Sequence, residues 1–252
     1  MKVEKQSETP RHIIVTGASR GLGLAIVKAL IVNSNYCISA VSRRGSRDLD
    51  EMQMQCPERL NAIKYDCSDS NQIKELAKFV TNASSFTAPY ALINNAAVGT
   101  DGVLATLHES DIYDCIRTNL LGPILLTKLI SRSMIKRREG VILNIASIIG
   151  TTGFSGLSVY GASKAGLIGF TKSLSRELGK ANIRVNSVSP GYMSTAMTDG
   201  IKNGHLNSIV RRSPFRRLAS VDEVAALCVW LISDNAAAIT GQDYTADYGS
   251  TA

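Results

Sequence analysis

Short apolar runs alternate with longer amphipathic stretches along nearly the whole chain. Residues 13–16 form a β-branched run that ends in glycines, and residues 22–32 follow with helical spacing. Residues 36–42 and 60–65 read as the next strands, and residues 73–80 as a helix. Residues 90–94 read as a strand and 109–138 as one long helix. Residues 141–146 are apolar between Gly140 and Ser147. A helix over 158–180, a strand over 183–188, a helix over 221–233 and a strand over 242–246 complete the pattern. Strands alternating with helices predict a mostly parallel sheet, here of seven strands, covered by helices on both faces. No repeat, linker or composition shift divides the chain, so one doubly wound α/β domain of the Rossmann type is expected over 13–252, preceded by a flexible extension over 1–12.

Composition narrows the class. The 252 residues are 44% hydrophobic and 19% charged, too apolar for a disordered chain. No stretch approaches the roughly 18 apolar residues of a membrane span. The first twelve residues lack the apolar segment of a secretion signal and mix Lys2, Lys5 and Arg11 with Glu4 and Glu8, a poor mitochondrial presequence. A cytoplasmic location is expected, with the mitochondrial matrix as the alternative. Net charge is +7, with basic clusters at Arg43, Arg44 and Arg47, at Arg132, Lys136, Arg137 and Arg138, and at Arg211, Arg212, Arg216 and Arg217. Such clusters suit anionic partners or simply solvated faces. Aromatic residues are only 6% and do not interleave with them, which argues against a nucleic-acid platform. Five scattered cysteines and three distant histidines predict reduced thiols and no metal site.

Candidate chemistry begins directly after the first strand, at Gly17, Ser19, Arg20, Gly21, Leu22 and Gly23. Glycines between a strand and a helix let the backbone approach a pyrophosphate, and the helix N-terminus offers free N–H groups. The second strand ends at Ser42, Arg43 and Arg44. An acid there would bind a ribose 2′-hydroxyl; two arginines instead suit a 2′-phosphate, with Arg20 near enough to help. Asp66 and Cys67 follow the third strand; Asp66 could meet an adenine amino group or cap a helix. Asn94 and Ala96 follow the fourth strand, where small residues would let a ribose lie close.

Tyr160 and Lys164 lie four apart in a helix and so share a face. An ammonium beside a phenol is expected to favour the phenolate and lower its pKa from about 10. Ser147 ends the fifth strand, where sites of open α/β sheets gather.

Taken together, the TGASRGLG turn, NNAA, Asn119, Ser147, the YGASK motif and Pro190-Gly191 resemble the short-chain dehydrogenase/reductase family in order and spacing, over residues 13–249. The stretch from Ser158 to Thr198, the SPFRRLASVDEVA segment and the late ITGQ are similar to 3-oxoacyl-[acyl-carrier-protein] reductases. The resemblance implies reduction of a ketone by NADPH in fatty acid biosynthesis, with Asn119, Ser147, Tyr160 and Lys164 catalytic. Lys164 would also bind the nicotinamide ribose, and Asn119 would hold a water that relays protons to Tyr160. Pro190, Gly191, Met193 and Thr195 would cover the nicotinamide, and a substrate loop would span about 193–212. Lys136, Arg137 and Arg138 match a basic site for the acidic carrier protein. Relatives of this kind are commonly homotetramers, built through the helices of Asn119 and Tyr160 and the sheet edge near Gly241. Two departures are Ala97 where the family carries glycine, and Asp247-Tyr248-Gly249 where it carries Asp-Gly-Gly. A general carbonyl, quinone or secondary-alcohol oxidoreductase is the nearest alternative, and a non-catalytic cofactor-binding subunit the alternative of another class.

Overall fold

The structure, a computed structural model, describes residues 10–82, 86–193 and 209–252. Seven strands form one parallel sheet in the order β3-β2-β1-β4-β5-β6-β7. They are β1 (His12–Thr16), β2 (Cys37–Ser42), β3 (Leu60–Lys64), β4 (Pro89–Asn94), β5 (Gly140–Ile145), β6 (Ile183–Pro190) and β7 (Asp243–Ala246). Side chains alternate across this sheet. Ile13 and Val15 face a core shared with α1 (Gly21–Asn33), α2 (Arg47–Gln55) and α8 (Val221–Ile232). Ile14 between them faces the other core, which holds α3 (Ser70–Asn82), α5 (Gly122–Arg137) and α7 (Ser158–Leu178). Both faces are therefore dry, which explains why β1, β2, β4 and β5 read as continuous apolar runs. Strand order reverses between β1 and β4, so a crevice opens there at the carboxyl ends of the strands. Among the described residues, no helix is long and apolar enough to cross a membrane.

Four features differ from the sequence reading. First, α2 was not legible: its nine residues bury only Leu49, so they carry almost no apolar period, and the Ser46 cap on Leu49 N starts it. Second, a one-turn helix, α6 (Ile149–Thr152), follows Ser147. Third, the expected long helix over 109–138 is divided: α4 (Glu109–Ile116) runs into a π turn (Arg117–Leu121) before α5. Gly122 marks the junction, since a Cβ there would strike the carbonyl of Cys67.

Fourth, the expected extension over 1–12 ends earlier. Arg11 pairs with Asp234 at 2.9 Å and Glu139 at 3.2 Å, and His12 is fully buried in β1. Its Nδ1 lies 2.8 Å from the Thr87 carbonyl, which can only accept, so Nδ1 carries the proton. Nε2 then accepts from Ser39 Oγ at 2.8 Å. Burial pushes the imidazole down to about 4, against an opposing pull from the Thr87 bond, and the Arg137 charge adds to the drop.

This histidine sets an acid limit on the fold. Between about 4 and 6.5 the unfolded chain binds a proton that the folded chain refuses, so stability falls as pH drops through that window. The full loss is on the order of 3 kcal/mol at about 1.4 kcal/mol per pH unit of separation. Urea midpoints at pH 7 and 4.5 should show it, and His12→Gln should flatten that part of the difference.

Candidate active site

The glycine turn after β1 is bolted to the loop after β4. Gly17 has φ +68° and Gly21 φ +55°, the left-handed region where a side chain is strained. A Cβ on Gly17 would come within 2.7 Å of the Ala96 Cα. Thr16 Oγ1 accepts from the backbone N–H of Asn95 and of Ala96, both at 3.0 Å. Asn95 Nδ2 donates back to the carbonyls of Thr16 (2.9 Å) and Gly17 (3.2 Å). Asn95 was passed over in the sequence, and its position beside Asn94 was the one available signal. Arg20, the residue before α1, gives no side-chain cap, and α1 has no acid in its first turn. Its first N–H groups, with Gly21, Leu22 and Gly23, therefore face the crevice mouth as an anion cradle beside Ser19.

The outer rim of the crevice is basic. Arg20, Arg43 and Arg44 are exposed, and among the described residues none of them forms an ion pair. Ser42 is buried and its Oγ accepts from Gly45 N at 3.1 Å, holding the turn that presents the two arginines. Asp66 Oδ1 accepts from the N–H and hydroxyl of Ser68, whereas Asp69 caps α3 through the N–H groups of Asn71 and Gln72. Cys67 is buried, and burial pushes its thiol up to about 12. Asn94 departs from the expectation. Its Nδ2 is spent inside the sheet on Thr127 Oγ1 (3.0 Å) and on Asn144 Oδ1 (2.8 Å), because it is the last inward-facing residue of β4. Its side chain is not available to a ribose.

Three further residues converge at the carboxyl end of β5. Tyr160 and Lys164 share one face of α7, with Nζ 5.7 Å from the ring centroid. The Tyr160 hydroxyl lies near enough to Ser147 for the serine to ease its ionisation, and Ser147 Oγ accepts from Ile149 N at 3.2 Å. Lys164 is only 2% exposed, and its Nζ donates to the Ile145 carbonyl at 2.7 Å. An ammonium has three donors, and no carboxylate pairs with this one among the described residues. Spare N–H capacity at Lys164 and the glycine cradle fit the hydroxyls and pyrophosphate of a dinucleotide.

The expected acidic phenol is corrected. Burial pushes Tyr160 up to about 12, only partly offset by Ser147, and Cys115 and Tyr192 push it further. Burial likewise lowers Lys164 to about 8. Shared helix face was read correctly, but desolvation outweighs the neighbouring charge.

Asn119 lies in the π turn, fully buried, and its side chain is a clamp. Oδ1 accepts from Val98 N at 2.8 Å. Nδ2 faces Val98 O (3.0 Å), Ser163 Oγ (3.2 Å) and Cys115 Sγ (3.4 Å). Ser163 in turn donates to the Tyr160 carbonyl at 2.7 Å, so the π turn is tied to the turn of α7 that carries Tyr160 and Lys164. The side-chain amide is thus engaged at both ends, its oxygen on Val98 and its nitrogen on Val98 and Ser163. Ser163 and Tyr192 were not singled out in the sequence; Tyr192 meets Phe154 edge-on at 6.2 Å. Pro190 ends β6 and accepts from Ile148 N at 3.2 Å, Gly191 N donates to Ala246 O at 3.0 Å, and Met193 bridges to Ala219. Thr195 and residues 194–208 of the expected substrate loop lie outside the described residues.

The buried ammonium has a thermodynamic signature. Below pH 8 the folded chain bears the full cost of burying the charge, and between about 8 and 10.5 stability rises as the folded chain loses its proton before the unfolded one. Lys164→Met should therefore stabilise the fold at pH 7 by on the order of 1–3 kcal/mol, read as a higher urea midpoint. A lower midpoint would contradict the burial cost.

The chain is similar to known proteins over nearly its whole length. Residues 17–251 match the family model described as enoyl-(acyl carrier protein) reductase. The chain is 38% identical over 237 residues to carbonyl reductase family member 4 of Xenopus tropicalis, covering 93% of this chain and 95% of the relative. It is 35% identical over 230 residues to a 3-oxoacyl-[acyl-carrier-protein] reductase of Escherichia coli strain K12, covering 91% and 92%. It is 34% identical over 236 residues to nodulation protein G of Rhizobium sp. strain N33, covering 93% and 94%. A seven-stranded parallel sheet, a glycine cradle at its switch point and a Tyr-x-x-x-Lys pair facing a serine, in a chain matched over nearly its full length, place this protein in the short-chain dehydrogenase/reductase family of oxidoreductases.

Proposed function

We propose that the protein reduces a ketone to a secondary alcohol with NADPH, and that its substrate is a 3-oxoacyl thioester carried by an acidic acyl carrier protein. The observation that carries the reaction is the juxtaposition of the Tyr160 hydroxyl and Ser147 with a buried Lys164 that has no carboxylate partner among the described residues. A ketone oxygen seated between Ser147 and Tyr160 would accept a hydrogen bond from each hydroxyl. Burial keeps the phenol protonated throughout the neutral range, the form a proton donor needs. As the carbonyl carbon is reduced, the oxygen gains the basicity of an alkoxide and takes the Tyr160 proton. The Lys164 ammonium then lies close to the phenolate left behind and stabilises it electrostatically. Bound nicotinamide supplies the hydride. Lys164 would hold its ribose, the turn from Gly17 to Gly23 would hold the pyrophosphate, and Pro190, Gly191 and Met193 would cover the ring.

Preference for NADPH rests on Arg20, Arg43 and Arg44, exposed and without acidic partners at the end of β2. A guanidinium fork matches a 2′-phosphate. The identity to a 3-oxoacyl-[acyl-carrier-protein] reductase supports the carrier-borne substrate. A place in fatty acid biosynthesis, a cytoplasmic location and a homotetramer are proposed with it. One observation favours a second reading, a small free carbonyl compound. Arg137 donates to the Pro89 carbonyl and Arg138 to the Lys180 carbonyl, so two of the three residues expected to meet the carrier are already engaged. They also stand at the amino end of β5, opposite Ser147 within the same chain.

Tyr160→Phe should lower kcat by about 10²–10⁴-fold, the usual worth of a general acid, while NADPH binding measured by fluorescence stays within about twofold. Near-wild-type turnover would remove the assignment. Arg43→Ala should weaken NADPH by about 10–100-fold, the worth of one charge-assisted bond, and leave NADH affinity almost unchanged; equal losses would remove the 2′-phosphate argument. Saturation kinetics with a 3-oxoacyl thioester and a simple diketone then separate the two substrate readings. Tight NADPH binding with no oxidation by any carbonyl would point to a non-catalytic subunit.

A further inference from the structure

Tyr248 holds an expensive conformation. Its φ is +55°, in the left-handed region that a side chain other than glycine or asparagine resists. The resemblance noted above has glycine at this point of the chain, which would carry no such strain. Several contacts hold the tyrosine in place. Its carbonyl accepts from Ser213 Oγ at 3.1 Å. Its ring packs on Phe215 at 5.0 Å between centroids, and the Arg217 guanidinium lies 4.3 Å over the ring. Its hydroxyl is bonded to Glu223 and Arg217. Glu223 is itself fixed by the capping box at the start of α8, accepting from Ser220 N at 2.8 Å. A Cβ on Gly249 would come within 3.5 Å of Pro214.

The same tail grips the other side of the cleft. Gly191 N donates to Ala246 O, and a Cβ on Gly191 would come within 2.7 Å of Asp247 Cβ. Asp247 is locked by Gly249 N (2.9 Å), Ser250 Oγ (2.9 Å) and Thr251 Oγ1 (2.7 Å). Residues 246–248 thus touch Gly191, one residue before Tyr192, and Ser213, one residue after Arg212. Pro190 in turn accepts from the N–H of Ile148, next to Ser147, at 3.2 Å, and Tyr192 meets Phe154 edge-on at 6.2 Å.

We propose that Tyr248 is a positioning residue for the ketone: the tail that it clasps to the turn over 213–217 also holds Gly191, and so sets where the segment 190–192 stands against Ile148, next to Ser147. The proposal rests on the reductase reading. Strain at Tyr248 is tolerated because Ser213, Phe215, Arg217 and Glu223 all hold the residue in place. Loss of the clasp acts on substrate fit and leaves the cradle for the dinucleotide, on the far side of β4, untouched.

The full-length protein carrying Tyr248→Asn or Tyr248→Phe tests this. Asparagine accepts the left-handed backbone without supplying a ring; phenylalanine keeps the ring and loses the hydroxyl. Tyr248→Asn should speed hydrogen exchange in residues 190–193 and 213–217 and raise the ketone KM about tenfold, with kcat and NADPH affinity within about twofold. Tyr248→Phe should recover most of that KM. Unchanged exchange in Tyr248→Asn overturns the clasp. Unchanged KM, or an equal loss of kcat and NADPH affinity, overturns the positioning role. A wild-type protein that reduces no ketone sinks the reductase reading instead, and exchange still decides the clasp.

Discussion

A single bond from the Lys164 ammonium to the Ile145 carbonyl organises the candidate site. Burying a cation without a carboxylate partner is costly, and the depressed pKa of the group records that cost. The bond fixes α7 to the end of β5, the strand that delivers Ser147 two residues later. Tyr160 lies one turn earlier on the same helix face and meets Ser147 as a consequence. The charge thus sits beside the phenol whose proton is to leave, in surroundings too dry to screen it.

Around this bond the protein builds rigidity from hydrogen bonds rather than bulk. Thr16 and Asn95 lock the glycine turn to the loop after β4. Val98, three residues on, locks the same loop to Asn119 in the π turn, and Ser163 carries the connection into α7. Deeper in the sheet, Asn94, Asn144 and Thr171 continue a buried polar ladder from β4 through β5 to α7. The cradle and the proton donor therefore hold one geometry together, and Asn119 contributes as a brace through its side chain. A π turn at that point offsets α4 from α5 where a straight helix would place Asn119 differently.

Much of this was legible in the chain. Continuous apolar runs announced a sheet covered on both faces, and the strand–glycine–helix order located the crevice. Spacing of four put Tyr160 and Lys164 together. What was not legible depends on burial. The sign of the Tyr160 shift turns on desolvation, which spacing does not encode. Asn94 and Asn95 are neighbours of one type, and only the pleat of β4 decides that Asn94 turns into the sheet while Asn95 grips the turn. Residues 109–138 keep a helical period through the π turn, so one added residue leaves no mark in the pattern. The short α2, with only Leu49 buried, had no period to read.

The central claim is that a buried, unpaired ammonium at Lys164 stands beside a protonated phenol. Titration of the protein carrying lysine labelled at Cε, followed by NMR with Lys164→Met to assign the signal, measures it directly. The account predicts that Lys164 loses its proton near pH 8. Titration in the ordinary lysine range near 10.5 would show a solvated or paired ammonium and contradict the account.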